Sequence, residues 1–352
     1  MVNMELKIAV QNKRKGNVKM IKRLTALITA VLIISQAAFA ASSLNGAGAS
    51  FPYPIYSKWM GLYQREKGVK VNYAPIGSGG GIRQFIAGVT DFGGTDAFMS
   101  TSDIQKVSGG VLHVPTVMGA VAVAYNANIS DLRLDGPTLA QIFLGDITKW
   151  NAPEIRALNP GVDLPDENIL VVHRSDSSGT TSIFTNYLAK VSTAWASRVG
   201  AGTSVSWPKG VGGKGNPGVA GAVKNNRNSI GYMEIAYAKS NNLGMAKMKN
   251  KAGVFVSPSN DGVTAAAAGA LKKMPSDYRA EILNQPGKDS YPIAGFTWIL
   301  LRKTGNGEKA QDLKDFLTWC LTQGQKYADE LGYAALPSSL VSRIISDVNS
   351  IN

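Results

Sequence analysis

The chain reads as an α/β protein of two domains. Apolar, β-branched runs alternate with segments of helical period from about residue 44 to the end, and alternation of this kind predicts helices packed on mostly parallel sheets. The length of 352 residues is enough for about two domains, each with an ample core. Several of the helical segments also open on glycine- and serine-rich turns directly after a strand-like run.

The first elements are not part of the fold. Met20 to Ala40 has a basic start at Lys22 and Arg23, an apolar stretch from Leu24 to Ile34, and the small-x-small pattern Ala38-Phe39-Ala40. That is the pattern of a secretory signal peptide, too short and wrongly flanked for a membrane anchor. The preceding nineteen residues read as an upstream extension before a start at Met20. No cysteine follows the cleavage point, so no lipid anchor is expected there.

In the mature chain, Val69–Tyr73 alternates as a strand, and Val111–Met118 and Ala120–Tyr125 read as two buried strands. Ile169–Val172 and Phe296–Leu301 are further strands. Helical spacing links Ile55, Trp59, Leu62 and Tyr63, then Ile82, Phe85, Ile86 and Val89, then Ile183, Phe184, Tyr187, Leu188 and Val191. The stretch 200–219, GAGTSVSWPKGVGGKGNPG with its neighbours, is the least regular and reads as a surface loop. Helices follow Leu301 to the end. The single cysteine, Cys320, sits in the helical pattern DLKDFLTWCL and suits a small buried hydrophobe.

The formal net charge is +13, of which residues 1–40 supply seven Lys/Arg and one Glu. The mature chain is thus at about +7, spread without a Lys/Arg cluster, which suits small anions or solubility rather than nucleic acid. Outside the leader, no apolar run reaches the roughly 18 residues a membrane span needs.

Three helix starts carry the chemistry. GAGASFPYP (46–54) precedes the first helix, with Ser50 placed to cap it and Pro52 in its first turn. GSGGG (77–81) precedes the second, and SSGTT (177–181) the third. Small residues let backbone N–H groups approach a ligand, and a helix N-terminus offers unpaired donors with a partial positive charge. Arg174, at the end of the 169–172 strand, adds a guanidinium that can grip two oxygens of an anion, and Asp176 can orient it. A polar surface loop is the plain alternative for HRSDSSGTTS. Asp96 in DFGGTDAFMS is an acceptor beside these donors; it makes sense for an anion that still carries a proton, as phosphate does at neutral pH and sulfate does not. A mispaired acceptor of this kind discriminates by roughly 10⁴–10⁵.

Catalytic patterns are weak. Neither Ser78 nor Ser177 stands in a G-x-S-x-G elbow. His113 and His173 are the only histidines, and no histidine/cysteine/carboxylate spacing suggests a metal. Gly213-Lys214 lacks the rest of a Walker A loop, and GSGGGI lacks the last glycine of the dinucleotide fingerprint.

LNGAGASFPYPIYSKW, VNYAPIGSGGGIRQFIAGVTDFGGTD, IFLGDITKWNAPEIRALNPG, VVHRSDSSGTTSIFTNYLAKV, WPKGVGGKGNPGVAGAV and IGYMEIAYA follow one another within the span from about Leu44 to Pro337. In order and spacing they resemble the periplasmic phosphate-binding proteins of bacterial ABC-type phosphate importers. The resemblance implies a type II periplasmic binding protein, two α/β domains joined by a two-crossing hinge in the manner of a Venus flytrap. One domain would hold 41–122 and 296–352 and the other 123–295, with crossings near Val121–Tyr125 and Pro292–Gly295. It further implies phosphate held by Ser50, Phe51, Ser78, Asp96, Arg174, Ser178, Gly179 and Thr180, with Asp176 supporting Arg174. Ser50 stands where threonine is common, Gly79 where a second serine is common, and His173 where arginine can occur; Gly79 is expected to loosen its loop, and His173 to face away from the ligand. No cofactor, metal or nucleic acid is implied. The expected partners are inorganic phosphate and the permease and ATPase of an inner-membrane importer, met by a periplasmic monomer without enzymatic activity. A sulfate or molybdate receptor is the alternative within the class, an exported phosphatase or an adhesive protein outside it.

Overall fold

The computed structural model describes Met4 and residues 43–352. Met4 apart, the expected extension and signal peptide lie outside the described residues.

The chain opens with alternating strands and helices. Strand β1 (Ser43–Gly48) leads into helix α1 (Tyr53–Lys67), then β2 (Lys70–Ala74), α2 (Ser78–Ile86) and β3 (Phe92–Thr95). β1 lies between β2 and β3 and is parallel to both. α1 ends at Gly68, whose φ of 73° closes the helix in the left-handed conformation, with Arg65 and Lys67 at the negative end of its dipole. α2 stops at Ile86, so Val89, expected on its apolar face, lies beyond it and is exposed.

After the short helix α3 (Thr101–Ile104), residues Val111–Asn126 form one strand, β4, where two were expected. Gly119, between the two apolar runs, looks like a break in the sequence, but both runs are buried and continue one another. Then come β5 (Arg133–Leu134), α4 (Gly136–Leu144), α5 (Pro153–Leu158), β6 (Leu170–Arg174), α6 (Gly179–Val191), α7 (Thr193–Arg198), β7 (Val211–Gly213), α8 (Gly215–Asn225), β8 (Ser229–Glu234) and α9 (Ile235–Ser240). The region 200–219 is therefore not loop throughout: it contains β7 and the start of α8. Short strands β9 (Gly244–Met245), β10 (Lys247–Lys249) and β11 (Phe255–Val256) precede α10 (Asn260–Leu271), β12 (Ala294–Arg302), α11 (Ala310–Leu321) and α12 (Ser338–Asn349).

Among the described residues the main sheet runs β2-β1-β3-β12-β4-β8-β6-β7, with β9 on β4. It is parallel only at its flanks. β12 is antiparallel to β3 and β4, and β4 to β8, so the expectation of mostly parallel sheets is corrected at the centre. Strands buried on both faces read as continuous apolar runs in either orientation, which is why the sequence does not separate the two. β4 changes partner along its length: Val111–Ala120 pairs with β12 and Val121–Asn126 with β8. Pro115 has no N–H to give the ladder, and the β12 register slips there, leaving Thr116 unmatched. The Thr116 hydroxyl donates to Thr297 O and meets the Tyr56 hydroxyl at 2.7 Å.

Tight backbone approach sets the strand ends that matter later. A side chain at Gly48 would strike Gly94 O, and its φ of +153° suits glycine. At Gly81, a Cβ would stand 2.5 Å from Gly48 Cα and 2.6 Å from Ala47 O, both backbone atoms that cannot yield cheaply. Gly81→Ala is therefore expected to destabilise the fold by about 1–3 kcal/mol through overpacking. An unfolding midpoint equal to that of the wild type would show that α2 is free to retreat from β1.

Candidate functional site

Four strand-to-helix turns converge at the carboxyl ends of β1, β2, β6 and β7, the place where open α/β sheets bind ligands. At the first, Ala49 N–H donates to Gly94 O at 2.9 Å, and Ser50 follows. Ser50 does not cap α1. Pro52 stands at the cap position without a side-chain bond, and the Ser50 hydroxyl oxygen instead accepts from Asn216 N–H and from Asn216 Nδ2, each at 3.0 Å. At the second turn Gly77, with φ +88°, donates to Gly48 O at 2.8 Å and sets Ser78 as the first residue of α2.

At the third turn β6 ends on Arg174. The Asp176 carboxylate takes Arg174 Nε at 2.8 Å and Nη2 at 2.6 Å, a two-pronged pair that leaves Nη1 directed at the Thr180 hydroxyl, 3.3 Å away. Arg174 is only 3 % exposed. Burial alone would push Asp176 up, but the guanidinium and the Gly215 N–H, 2.9 Å from Oδ1, outweigh it and hold the carboxyl below its usual range. Ser178 caps α6, its hydroxyl oxygen accepting from Thr181 N–H at 3.0 Å, and Gly179 and Thr180 occupy the first turn. The Gly179 N–H meets the Ser78 hydroxyl at 3.0 Å, which also accepts from Asp96 N–H at 3.2 Å.

Asp96 follows β3 and is 4 % exposed. Its Oδ1 accepts from the Thr297 hydroxyl at 2.8 Å. Burial pushes its pKa up to about 7, against the lowering pull of that hydroxyl, of Arg174 and of Ser78. The site therefore sets a fixed cation, several neutral donors and a carboxyl poised near neutral pH in one buried space.

The structure brings the expected residues together around these turns. Ser50, Thr180, Arg174 and Asp176 are joined by hydrogen bonds through Asn216, and Ser78, Asp96 and Gly179 form a second set, the two meeting at the adjacent Gly179 and Thr180. Phe51 follows Ser50; its ring is buried edge-on to Tyr333 and its carbonyl accepts the Tyr333 hydroxyl at 2.7 Å. Ser178 is buried, with its hydroxyl turned to its own helix. Gly79 does not loosen its turn. Its N–H donates to Ser177 O at 3.1 Å, and a Cβ there would lie 2.0 Å from Ser177 Oγ, so the missing side chain lets the two segments touch. His173 stacks on Trp207 with ring centres 4.8 Å apart, and His113 accepts Met99 N–H at 3.1 Å, with burial pushing its pKa down to about 4.

Asn216 is the residue that sequence reasoning missed. It is fully buried in the first turn of α8, and its side chain reaches both the Ser50 hydroxyl and, at 3.1 Å, the Thr180 hydroxyl, while Oδ1 accepts Glu234 N–H at 2.9 Å. The signal was present: GGKGN has the same glycine-opened form as the other three starts.

A family model described as a PBP superfamily domain matches residues 34–323. Among curated proteins, the phosphate-binding protein PstS of Haemophilus influenzae is 46% identical over 321 residues, covering 90% of this chain and 96% of that protein. PstS of Pasteurella multocida is 46% identical over 310 residues, with 86% and 89% covered. PstS of Methanocaldococcus jannaschii is 40% identical over 341 residues, with 88% and 86% covered. Among solved structures, a high-affinity periplasmic phosphate-binding protein (PfluDING) bound with phosphate superposes with a TM-score of 0.70 at 23% identity, covering 86% of this chain and 93% of that one. A phosphate ABC transporter substrate-binding protein from Clostridium perfringens gives 0.61 at 19%, with 84% and 100% covered. The structural likenesses carry the type II periplasmic binding protein fold, and the sequence identities carry the lineage: the chain belongs to the PstS family of phosphate-binding proteins, the substrate-binding components of ABC phosphate transporters.

Proposed function

We propose that this protein captures inorganic phosphate and delivers it to an ABC importer, with the anion enclosed by Ser50, Phe51, Ser78, Asp96, Arg174, Ser178, Gly179 and Thr180. The observation that carries the reading is the buried Arg174 guanidinium, locked by Asp176 beside a buried carboxyl. A lone buried cation is costly. Here Asp176 balances its charge through Nε and Nη2 and fixes its plane, so that Nη1 is left as a donor edge for an oxyanion. First-turn N–H groups of α2 and α6 lack an acceptor one turn back in their own helices, and those not taken by Ser177 O, Ser78 or Ser178 add neutral donors.

We read residues 41–122 with 296–352 as one lobe and 123–295 as the other. The exchange of partners by β4 between Ala120 and Val121 supports one crossing, and the start of β12 at Ala294 supports the second. Site residues from the two lobes touch directly, Ser78 with Gly179 and Ser50 with Asn216. Phosphate enters when these contacts part and is enclosed when the lobes close again. Closure follows binding because the donors are divided between lobes, so only the closed form uses all of them. The closed, loaded form then docks on the permease, whose ATPase drives release. Capture needs no bond to break; the site residues bind and orient, and none is asked to act as a nucleophile. The leader sequence supports export to the periplasm.

Asp96 supports phosphate over sulfate. Its ionised carboxyl accepts the proton that phosphate retains, and faces only acceptor oxygens on sulfate. Calorimetric titration of the purified protein, freed of carried-over anion, tests the reading: tight phosphate binding with negligible sulfate binding is expected. Tight sulfate binding would overturn the ligand, and binding of neither would overturn the function.

Arg174→Ala is expected to weaken phosphate binding at least tenfold, about 1.4 kcal/mol. Unchanged affinity in a folded variant would remove Arg174 from the pocket. Asp96 also gives the selectivity a pH dependence. Above about 7 the carboxyl is ionised and rejects sulfate; below that it is protonated and becomes a donor, so the preference for phosphate narrows as pH falls. Competition titrations on either side of neutrality are expected to show this in the wild type, and a flattened, less selective profile in Asp96→Asn. A variant as selective as the wild type would dismiss the proton-acceptor role.

A further inference from the structure

The Ser50–Phe51 peptide is held from outside the pocket by a residue of the opposite lobe. A trans peptide directs its C=O and N–H to opposite sides. The carbonyl of this one, Ser50 O, accepts the Tyr237 hydroxyl at 2.6 Å and, more loosely, Tyr53 N–H at 3.3 Å. The N–H on its other edge belongs to Phe51. The next carbonyl, Phe51 O, is held by the Tyr333 hydroxyl at 2.7 Å. Two successive carbonyls of the segment are thus held by phenols, with Asn216 bonded to the Ser50 hydroxyl.

Tyr237 lies in α9, just after Glu234 at the end of β8. Glu234 N–H donates to Asn216 Oδ1, and Glu234 Oε2 accepts Ala236 N–H at 2.9 Å, so Asn216, Glu234 and Tyr237 form one frame. That frame approaches Ser50 from the 123–295 side. Burial pushes the Tyr237 hydroxyl well above its ordinary pKa, which keeps it a donor throughout the working pH range. A donor on a carbonyl also polarises the amide and strengthens its N–H.

We infer that Tyr237 is a positioning residue for the bound oxyanion: by donating to Ser50 O it fixes the plane of the Ser50–Phe51 peptide and turns the Phe51 N–H onto the ligand. Because it reaches across from the other lobe, it does so only on closure. One donor of the first lobe is thereby completed by the second, and closure does more than exclude water. The inference rests on the phosphate reading above.

The test is Tyr237→Phe, which removes the hydroxyl and keeps the ring, compared with the wild type in the purified, anion-free protein. Loss of one neutral hydrogen bond is expected to weaken phosphate binding roughly fivefold to tenfold, chiefly through faster release. The melting temperature of the ligand-free variant is expected to stay near that of the wild type. Amide NMR separates positioning from packing. Phosphate is expected to move the wild-type Phe51 amide proton downfield, and this shift is expected to fall by half or more in Tyr237→Phe while Ser78 responds as before. A wild-type Phe51 amide that ignores phosphate overturns the inference whatever the variant does. So does a variant with wild-type affinity and an unchanged Phe51 shift. A wild type that binds no phosphate at all defeats the underlying reading, and this inference with it.

Discussion

The pair between Arg174 and Asp176 is the constraint on which the site is built. A guanidinium buried as deeply as Arg174 needs a partner in fixed geometry, and the Nε/Nη2 fork on one carboxylate is the geometry that leaves a single edge free. Asp176 is not spent on Arg174 alone. The same oxygen that takes Nε takes Gly215 N–H, so the turn after β6 and the turn after β7 are tied together. From there Asn216 ties both to Ser50, in a turn far away along the chain. Removing either charge would undo the arrangement of three turns, not one contact.

Glycine is what allows the remaining turns to come so near. Gly48, Gly77, Gly79 and Gly81 each stand where a Cβ would meet backbone or a neighbouring polar side chain. Their absent side chains put Ser78 within one hydrogen bond of both Asp96 and Gly179. Close approach concentrates donors; it also raises the Asp96 pKa by excluding water, so packing and electrostatics act through the same small residues.

Much of this was legible in the sequence because it is local. SSGTT reads as a capped helix start and is one; Arg174 two residues before Asp176 reads as a pair and is one. What was not legible depends on tertiary context. Ser50 has the look of a cap, yet its hydroxyl is claimed by Asn216, 166 residues later. The helix α8 opens with Gly-Asn-Pro-Gly, residues of poor helical propensity after a strand only three residues long, so its composition says loop while packing makes it helix. Strand direction was lost for a different reason: complete burial erases the alternation that marks an antiparallel sheet, and β4 and β12 are buried almost throughout. Thr297 and Tyr237 carried no local signal at all, since their roles come from what β12 and α9 are packed against.

β4 has a consequence for timing. It is a single 16-residue strand, buried over nearly its whole length, whose two ends belong to different neighbours. Any movement of one set of strands against the other must flex the backbone around Ala120 and Val121, among side chains that pack at core density and resist gradual deformation. In the two-lobe reading proposed above, the stiffness of that stretch, set by apolar side chains away from the donors, contributes to how long the cleft stays shut. In that reading part of the ligand residence time is written away from the donors, and mutation there can retune it while leaving the residues that decide ligand preference untouched.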